Sequence, residues 1–122
     1  MAKILIIEDE RSIRQALRFE LEEEGHEVFY AVDYAEAVSS FLAFECDLII
    51  SDLFLDEGNG LQILSMLNMG KKKIPFIGMT AFPETKLGLT AKSILKDRFF
   101  TKPFLAPSLK AKVNEVLAQT IL

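Results

Sequence analysis

The chain has 122 residues, half of them hydrophobic, with 14 basic against 18 acidic side chains and a net charge of −4, which fits one compact domain spanning 1–122. Its only basic run, Lys71-Lys72-Lys73, falls between a Leu/Met-rich helical stretch and Pro75 and reads as a solvated helix end, so direct contact with nucleic acid is not expected. A single Cys46 rules out an internal disulfide framework. No apolar run reaches membrane-spanning length, and the first is cut by Glu8-Asp9, unlike a signal peptide; the expectation is a soluble, cytoplasmic protein with no membrane partner.

Short apolar runs alternate with longer amphipathic ones, the pattern of repeated βα units and a parallel sheet with helices on both faces. Five strands are predicted, at 3–8, 27–32, 47–52, 74–79 and 98–101, the second and fifth being more polar and suited to sheet edges. The first helix turns Ile13, Ala16, Leu17 and Leu21 inward, sets Arg14, Arg18 and Glu22-Glu23-Glu24 on the other face, and ends at Gly25. His26 follows in a loop and reads as surface. Asp33 with Glu36 makes a capping-box-like start for a second helix carrying Ala35, Val38 and Leu42. Cys46 reads as a small buried hydrophobe. Gly60 opens a third helix with Leu61, Leu64 and Leu67 inward, while Met66, Met69 and Met79 fit core or helix-end packing. A fourth, near 84–95, is interrupted by Gly88 and weakened by Thr85 and Thr90, making it the most labile expected element. The last begins near Pro107 and stripes Leu109, Val113, Val116, Leu117 and Ile121 on one side.

The chemistry gathers at strand ends. Asp52 closes the unbroken run Leu48-Ile49-Ile50-Ser51, and Glu8-Asp9 follow Ile4-Leu5-Ile6-Ile7. In a parallel sheet these ends share one edge, where open α/β folds bind their ligands. Three carboxylates held together repel one another and call for a hard divalent cation such as Mg²⁺. Thr80 ends the fourth strand and Lys102-Pro103 follow the fifth, adding a hydroxyl and an ammonium for an anion that carboxylates alone would repel. That anion is most economically a phosphoryl group, for which aspartate is a competent nucleophile. Taken singly, each residue is more often a cap, a turn or a solvated charge; their conjunction carries the reading.

Glu8-Asp9, Asp52, Thr80 with small Ala81, and Lys102-Pro103 occur in the order and at the approximate spacings of a known family, and the whole chain resembles the receiver domain of two-component response regulators. The segment from Asp52 to Asn59-Gly60-Leu61 is similar to the family's stretch after the acceptor. Three positions depart from the pattern: Asp56 where proline is usual, Leu95-Lys96 in place of Gly-Ala, and Cys46 at a frequent proline position. The resemblance implies a flavodoxin-like, doubly wound five-stranded sheet of order 2-1-3-4-5. It also implies that Asp52 accepts a phosphoryl group from a sensor histidine kinase or phosphotransfer protein in a Mg²⁺-dependent reaction. The carboxylates of Asp9 and Asp52 and the backbone carbonyl of Phe54 would ligate the metal, with Glu8 acting largely through water. Lys102 would pair with Asp52 and then with a phosphoryl oxygen, its bond to Pro103 being cis, and Thr80 would hydrogen-bond the phosphoryl group. Phe99 falls at the family's aromatic switch position. A downstream effector domain or protein, or a second copy of the chain in a phosphorylation-dependent dimer, would read the face of the fourth helix, fifth strand and fifth helix. Such a domain is a signalling phosphoacceptor whose only catalysis is its own phosphorylation and dephosphorylation.

An enzyme alternative is a haloacid-dehalogenase-type phosphatase, which also uses a strand-end Asp, Mg²⁺ and Lys but needs a second Asp two residues on, where Phe54 stands. A flavodoxin-like nucleotide binder would need a glycine-rich loop after the first strand, which the chain lacks. A degenerate receiver serving as scaffold would have lost an acidic or lysine position, and none is lost.

Overall fold

The computed structural model describes residues 1–43, 45–70 and 73–121, the side chains of 120 and 121 excepted. The strands are β1 (Lys3–Ile7), β2 (Glu27–Ala31), β3 (Leu48–Asp52), β4 (Phe54–Leu55), β5 (Gly58–Asn59), β6 (Phe76–Thr80) and β7 (Phe99–Thr101). Five of them form one parallel sheet in the order β2-β1-β3-β6-β7, with the more polar β2 and β7 at its edges. Leaving aside the two-residue ribbon β4–β5, this is the expected 2-1-3-4-5 order. The helices are α1 (Arg11–Glu23), α2 (Tyr34–Ala43), α3 (Gly60–Met69), α4 (Lys86–Leu95) and α5 (Ala106–Ile121).

Strand residues alternate between two cores. Ile4, Ile6, Leu48, Ile50, Ile77 and Met79 pack under α1 and α5 against Leu17, Leu21, Leu109, Val113 and Val116. Leu5, Ile7, Ile49 and Phe76 pack under α2, α3 and α4 against Ala37, Ile63, Leu67, Ala91 and Leu95. A sheet covered on both faces leaves no polar side to its central strands, which is why their sequences run apolar without alternation. Each such Leu or Ile removed from water contributes about 1.5–3 kcal/mol, so the two cores hold the strand ends in fixed register.

Several local expectations shift. Arg98 lies in a single 3₁₀ turn, Lys96–Arg98, and Ile74 and Pro75 precede β6. Ala16 is exposed at the margin of the α1 stripe. In α2 the inward residues are Ala37, Val38 and Phe41; Ala35 is exposed and Leu42 is 76% exposed. The expected spacing of seven from Ala35 to Leu42 ran one position ahead of the real stripe. Half of the expected capping box forms: the Glu36 N–H donates to Asp33 Oδ1 at 2.8 Å, but the Glu36 carboxylate accepts from the Val32 N–H at 3.3 Å rather than from that of Asp33. Ile63 lies deeper in α3 than Leu61 and Leu64, and Asn59 caps that helix reciprocally with Gln62. Met79 is buried, Met66 half-buried and Met69 exposed at the helix end. His26 is half-buried rather than surface, its Nδ1 accepting the Ala2 N–H at 3.1 Å. Cys46 is buried as expected. Of the lysine run, Lys71 and Lys72 lie outside the described residues, as does the Ile121 side chain; Lys73 is exposed.

The interruption expected at Gly88 does not occur. Thr85 is the N-cap of α4, accepting the Gly88 N–H at 3.1 Å, and Gly88 is buried where the helix crosses the Phe82–Pro83 backbone. At the other end Lys96 takes φ 55 with ψ −113, a positive-φ conformation that favours glycine. That is the position where the resemblance led one to expect a small residue. Asp56 and Glu57, the latter at φ 64, turn the chain between β4 and β5.

Candidate functional site

Register brings the strand-end residues together. Ile7 of β1 stands beside Ser51 of β3, so Glu8 emerges next to Asp52. Asp52 pairs with Met79 of β6, so Thr80 follows on the next strand, and Thr80 pairs with Thr101, after which the chain delivers Lys102. The Lys102 N–H donates to the Thr80 carbonyl at 2.8 Å, fastening the lysine to the sheet edge. The Lys102–Pro103 peptide bond is cis, as expected.

The side chains converge accordingly. Carboxylate oxygens of Glu8, Asp9 and Asp52 lie within 4.8 Å of one another, with Glu8 fully buried, Asp52 nearly so and Asp9 open to solvent. Lys102 Nζ donates to Asp52 Oδ2 at 2.6 Å and to both Glu8 oxygens, at 2.9 and 2.8 Å. Pairing with Glu8 goes beyond the Asp52 contact expected. It gives the most deeply buried carboxyl its counter-charge, without which burial would be prohibitive. Burial pushes the Glu8 carboxyl up to about 7, the Lys102 hydrogen bond opposing this and the Asp52 charge adding to it. Burial works against the Lys102 ammonium too, but its bonds to Asp52 and Glu8 outweigh it and hold the amine above the ordinary lysine range.

Asp52 Oδ1 accepts the Phe54 N–H at 2.9 Å, so both oxygens of this carboxylate are engaged and its plane is fixed. Thr80 is buried, and its Oγ1 accepts the Phe82 N–H at 2.9 Å, holding the start of the loop into α4. The Phe54 and Phe82 rings meet edge to face, centroids 5.5 Å apart, both partly exposed. Phe99, the first residue of β7, pairs with Gly78 of β6, and its ring is half-buried beside the α4-side core. Oxygen-only donors with one solvent-facing member fit a hard divalent ion that keeps part of its water. The ring at position 54 supplies no acid for a phosphatase. Sequence reasoning set Arg14 on the solvent face, whereas its guanidinium reaches back to the carbonyls of Glu8 and Asp9; helical periodicity alone carries no signal for such a contact.

Comparison with known proteins agrees with this geometry. A model of the response regulator receiver domain matches residues 4–114. The chain is 30% identical over 118 residues, 97% of its length and 49% of the relative's, to the alkaline phosphatase synthesis transcriptional regulatory protein PhoP of Bacillus subtilis. It is 32% identical over 117 residues to the phosphate regulon transcriptional regulatory protein PhoB of Escherichia coli, covering 94% of this chain and 51% of that one. The chain thus spans about half the length of the curated relatives it matches. Among solved structures it superposes on a Francisella response regulator receiver domain with TM-score 0.85 at 26% identity, covering 98% of this chain and 99% of that one. It superposes on the Thermotoga maritima response regulator TrrA, solved in complex with Mg²⁺-BeF, with TM-score 0.80 at 32% identity, covering 94% and 98%. Fold, strand-end carboxylates and family match coincide, and the chain belongs to the response-regulator receiver family of two-component signal transduction.

Proposed function

We propose that Asp52 is the phosphoacceptor of this receiver, taking a phosphoryl group from the phosphohistidine of a sensor histidine kinase or phosphotransfer protein. The observation that carries the reading is the Asp52 carboxylate at the end of β3, ion-paired with Lys102 and within 4.8 Å of the Glu8 and Asp9 oxygens. An Asp52 oxygen forms the new bond to phosphorus as the phosphorus–nitrogen bond of the donor breaks, the electron pair leaving with the imidazole. Asp9, Asp52 and the Phe54 backbone carbonyl would hold Mg²⁺, with Glu8 through water; when bound, the ion would neutralise phosphoryl charge and orient the group for in-line transfer. Lys102 balances the buried carboxylates beforehand and is placed to turn to a phosphoryl oxygen afterwards. Thr80 exchanges its Phe82 partner for the phosphoryl group, which frees the loop into α4. Phe99, on the adjoining strand, is the aromatic that moves with it. The face of α4, β7 and α5 passes the state to an effector domain or protein, or to a second receiver, and the whole chain 1–122 acts as one cytoplasmic receiver domain.

Incubation with acetyl phosphate and Mg²⁺ tests this. Stoichiometric phosphorylation that Asp52→Asn abolishes is the expected result. Label mapping to another residue, or sustained phosphate release, would overturn it.

A further inference from the structure

The connection from β1 to α1, which carries the acidic pair, lacks the usual helix-start lock. Its N-cap Glu10 makes no side-chain capping bond, and the first turn of α1 contains no acidic residue. Two contacts fasten its amides: the Glu8 N–H donates to the Ala31 carbonyl at 2.9 Å, and the Glu10 N–H to Glu8 Oε1 at 3.3 Å. The carbonyls are held differently. Arg14 Nη1 donates to both the Glu8 and the Asp9 carbonyl, each at 2.9 Å, so one nitrogen with two hydrogens spans two successive peptide planes.

Arg14 is itself held in place. Its guanidinium carbon lies 5.6 Å from the centroid of the Tyr30 ring on edge strand β2. The Arg18 guanidinium lies 5.4 Å from the same ring and donates to the Tyr30 hydroxyl at 3.3 Å, while its Nε pairs with Glu22 at 3.0 Å. The chain of contacts therefore runs from the α1 surface through an aromatic ring on β2 to the backbone that aims Glu8 and Asp9.

We infer that Arg14 is a positioning residue for the divalent-cation site, fixing the Glu8 and Asp9 peptide planes, and that the Tyr30 ring in turn fixes Arg14. This rests on the reading that the three carboxylates take Mg²⁺. The arginine acts in two opposed ways on such a site. As a nearby positive charge it repels a cation, so removing charge alone would tighten Mg²⁺ binding. As a backbone clasp it preorganises the oxygen ligands, so removing it weakens binding, as loss of an outer-shell partner does. The sign of the change separates the two.

The experiment is calorimetric Mg²⁺ titration, at fixed ionic strength, of the unmodified chain, Arg14→Met, Tyr30→Leu and Tyr30→Phe, with thermal melts to confirm folding. Amide hydrogen exchange of residues 8–10 without metal accompanies it. Arg14→Met should raise Kd about fivefold to tenfold. Tyr30→Leu should move it in the same direction by about threefold, and Tyr30→Phe, which keeps the ring under the guanidinium, should stay near the unmodified value. Exchange at 8–10 should quicken in Arg14→Met and Tyr30→Leu only. Should Arg14→Met not fold, the two Tyr30 variants decide the matter by their difference. An equal or tighter Kd in Arg14→Met, or equal values for the two Tyr30 variants, overturns the inference. Failure of the unmodified chain to bind Mg²⁺ would instead refute the cation reading, leaving the exchange result to judge the clasp.

Discussion

Replacing Gly88 with alanine sets two well-defined energies against each other. In an exposed helix interior the change stabilises by about 1 kcal/mol, because alanine loses less backbone freedom on folding. Here a Cβ would sit 2.5 Å from the Phe82 carbonyl oxygen, 2.6 Å from that of Pro83 and 2.7 Å from the Pro83 carbonyl carbon. These are roughly 1 Å inside an unstrained contact, and all three are main-chain atoms that cannot rotate away. Overpacking of this kind costs about 1–3 kcal/mol. Displacing residue 88 also stretches its bond to the Thr85 cap, 3.1 Å long here, and such caps are worth about 1 kcal/mol. The net expectation is destabilisation by about 1–2 kcal/mol. Urea denaturation followed by circular dichroism should show a lower midpoint, by about 1 M at the slope typical of a small domain. A midpoint that rises would show propensity winning, and the close approach of α4 to the loop after Thr80 would then be soft rather than fixed.

Lys96→Gly should stabilise the chain by about 1 kcal/mol, since Lys96 occupies φ 55 at an exposed helix end; an unchanged melting temperature would contradict the strain. If the Phe54–Phe82 edge-to-face pair, 5.5 Å between centroids, shields the proposed Asp52 acyl phosphate from water, replacing both with serine should shorten its lifetime several-fold; equal or slower loss of label would exclude a shielding role. Asp97 should titrate below the ordinary aspartate range because Lys112 hydrogen-bonds it, and Lys112→Met should bring its NMR titration back up. Since the folded-state value is depressed, this pairing adds stability above the unfolded-state pKa and loses it as pH falls through the folded one, so Lys112→Met should flatten the acid limb of the stability curve.

How much of this was legible beforehand varies with the physics involved. Ile4 to Ile7 and Leu48 to Ile50 disclose a doubly covered sheet because full burial leaves a run with no polar break, and the carboxylates that end those runs disclose the edge where the candidate site lies. The ribbon of Phe54–Leu55 with Gly58–Asn59 was not legible, since two-residue strands have no period to read. In α2 both Phe41 and Leu42 are apolar, and only the packing decides which turns inward. Propensity reads Gly88 and Thr85 as interruptions of α4 because it scores residues one at a time, whereas here the helix is continuous, the glycine admits a neighbouring backbone and the threonine is the cap. Arg14 was placed correctly on the polar face of α1, yet nothing in the pattern tells a solvated guanidinium from one that folds back over its own loop.

Lys102 lies 94 positions along the chain from Glu8 and 50 from Asp52. Its ammonium arrives only when β7, the last strand, docks at the sheet edge, and contacts of such sequence separation bear the full cost of loop closure. Until then the buried carboxyls at two adjacent strand ends lack the ammonium that pairs with them directly. On the proposed reading of Asp52, competence to receive a phosphoryl group is in this way tied to completion of the fold, because a chain whose last strand has not docked lacks the ammonium that pairs the buried carboxylates.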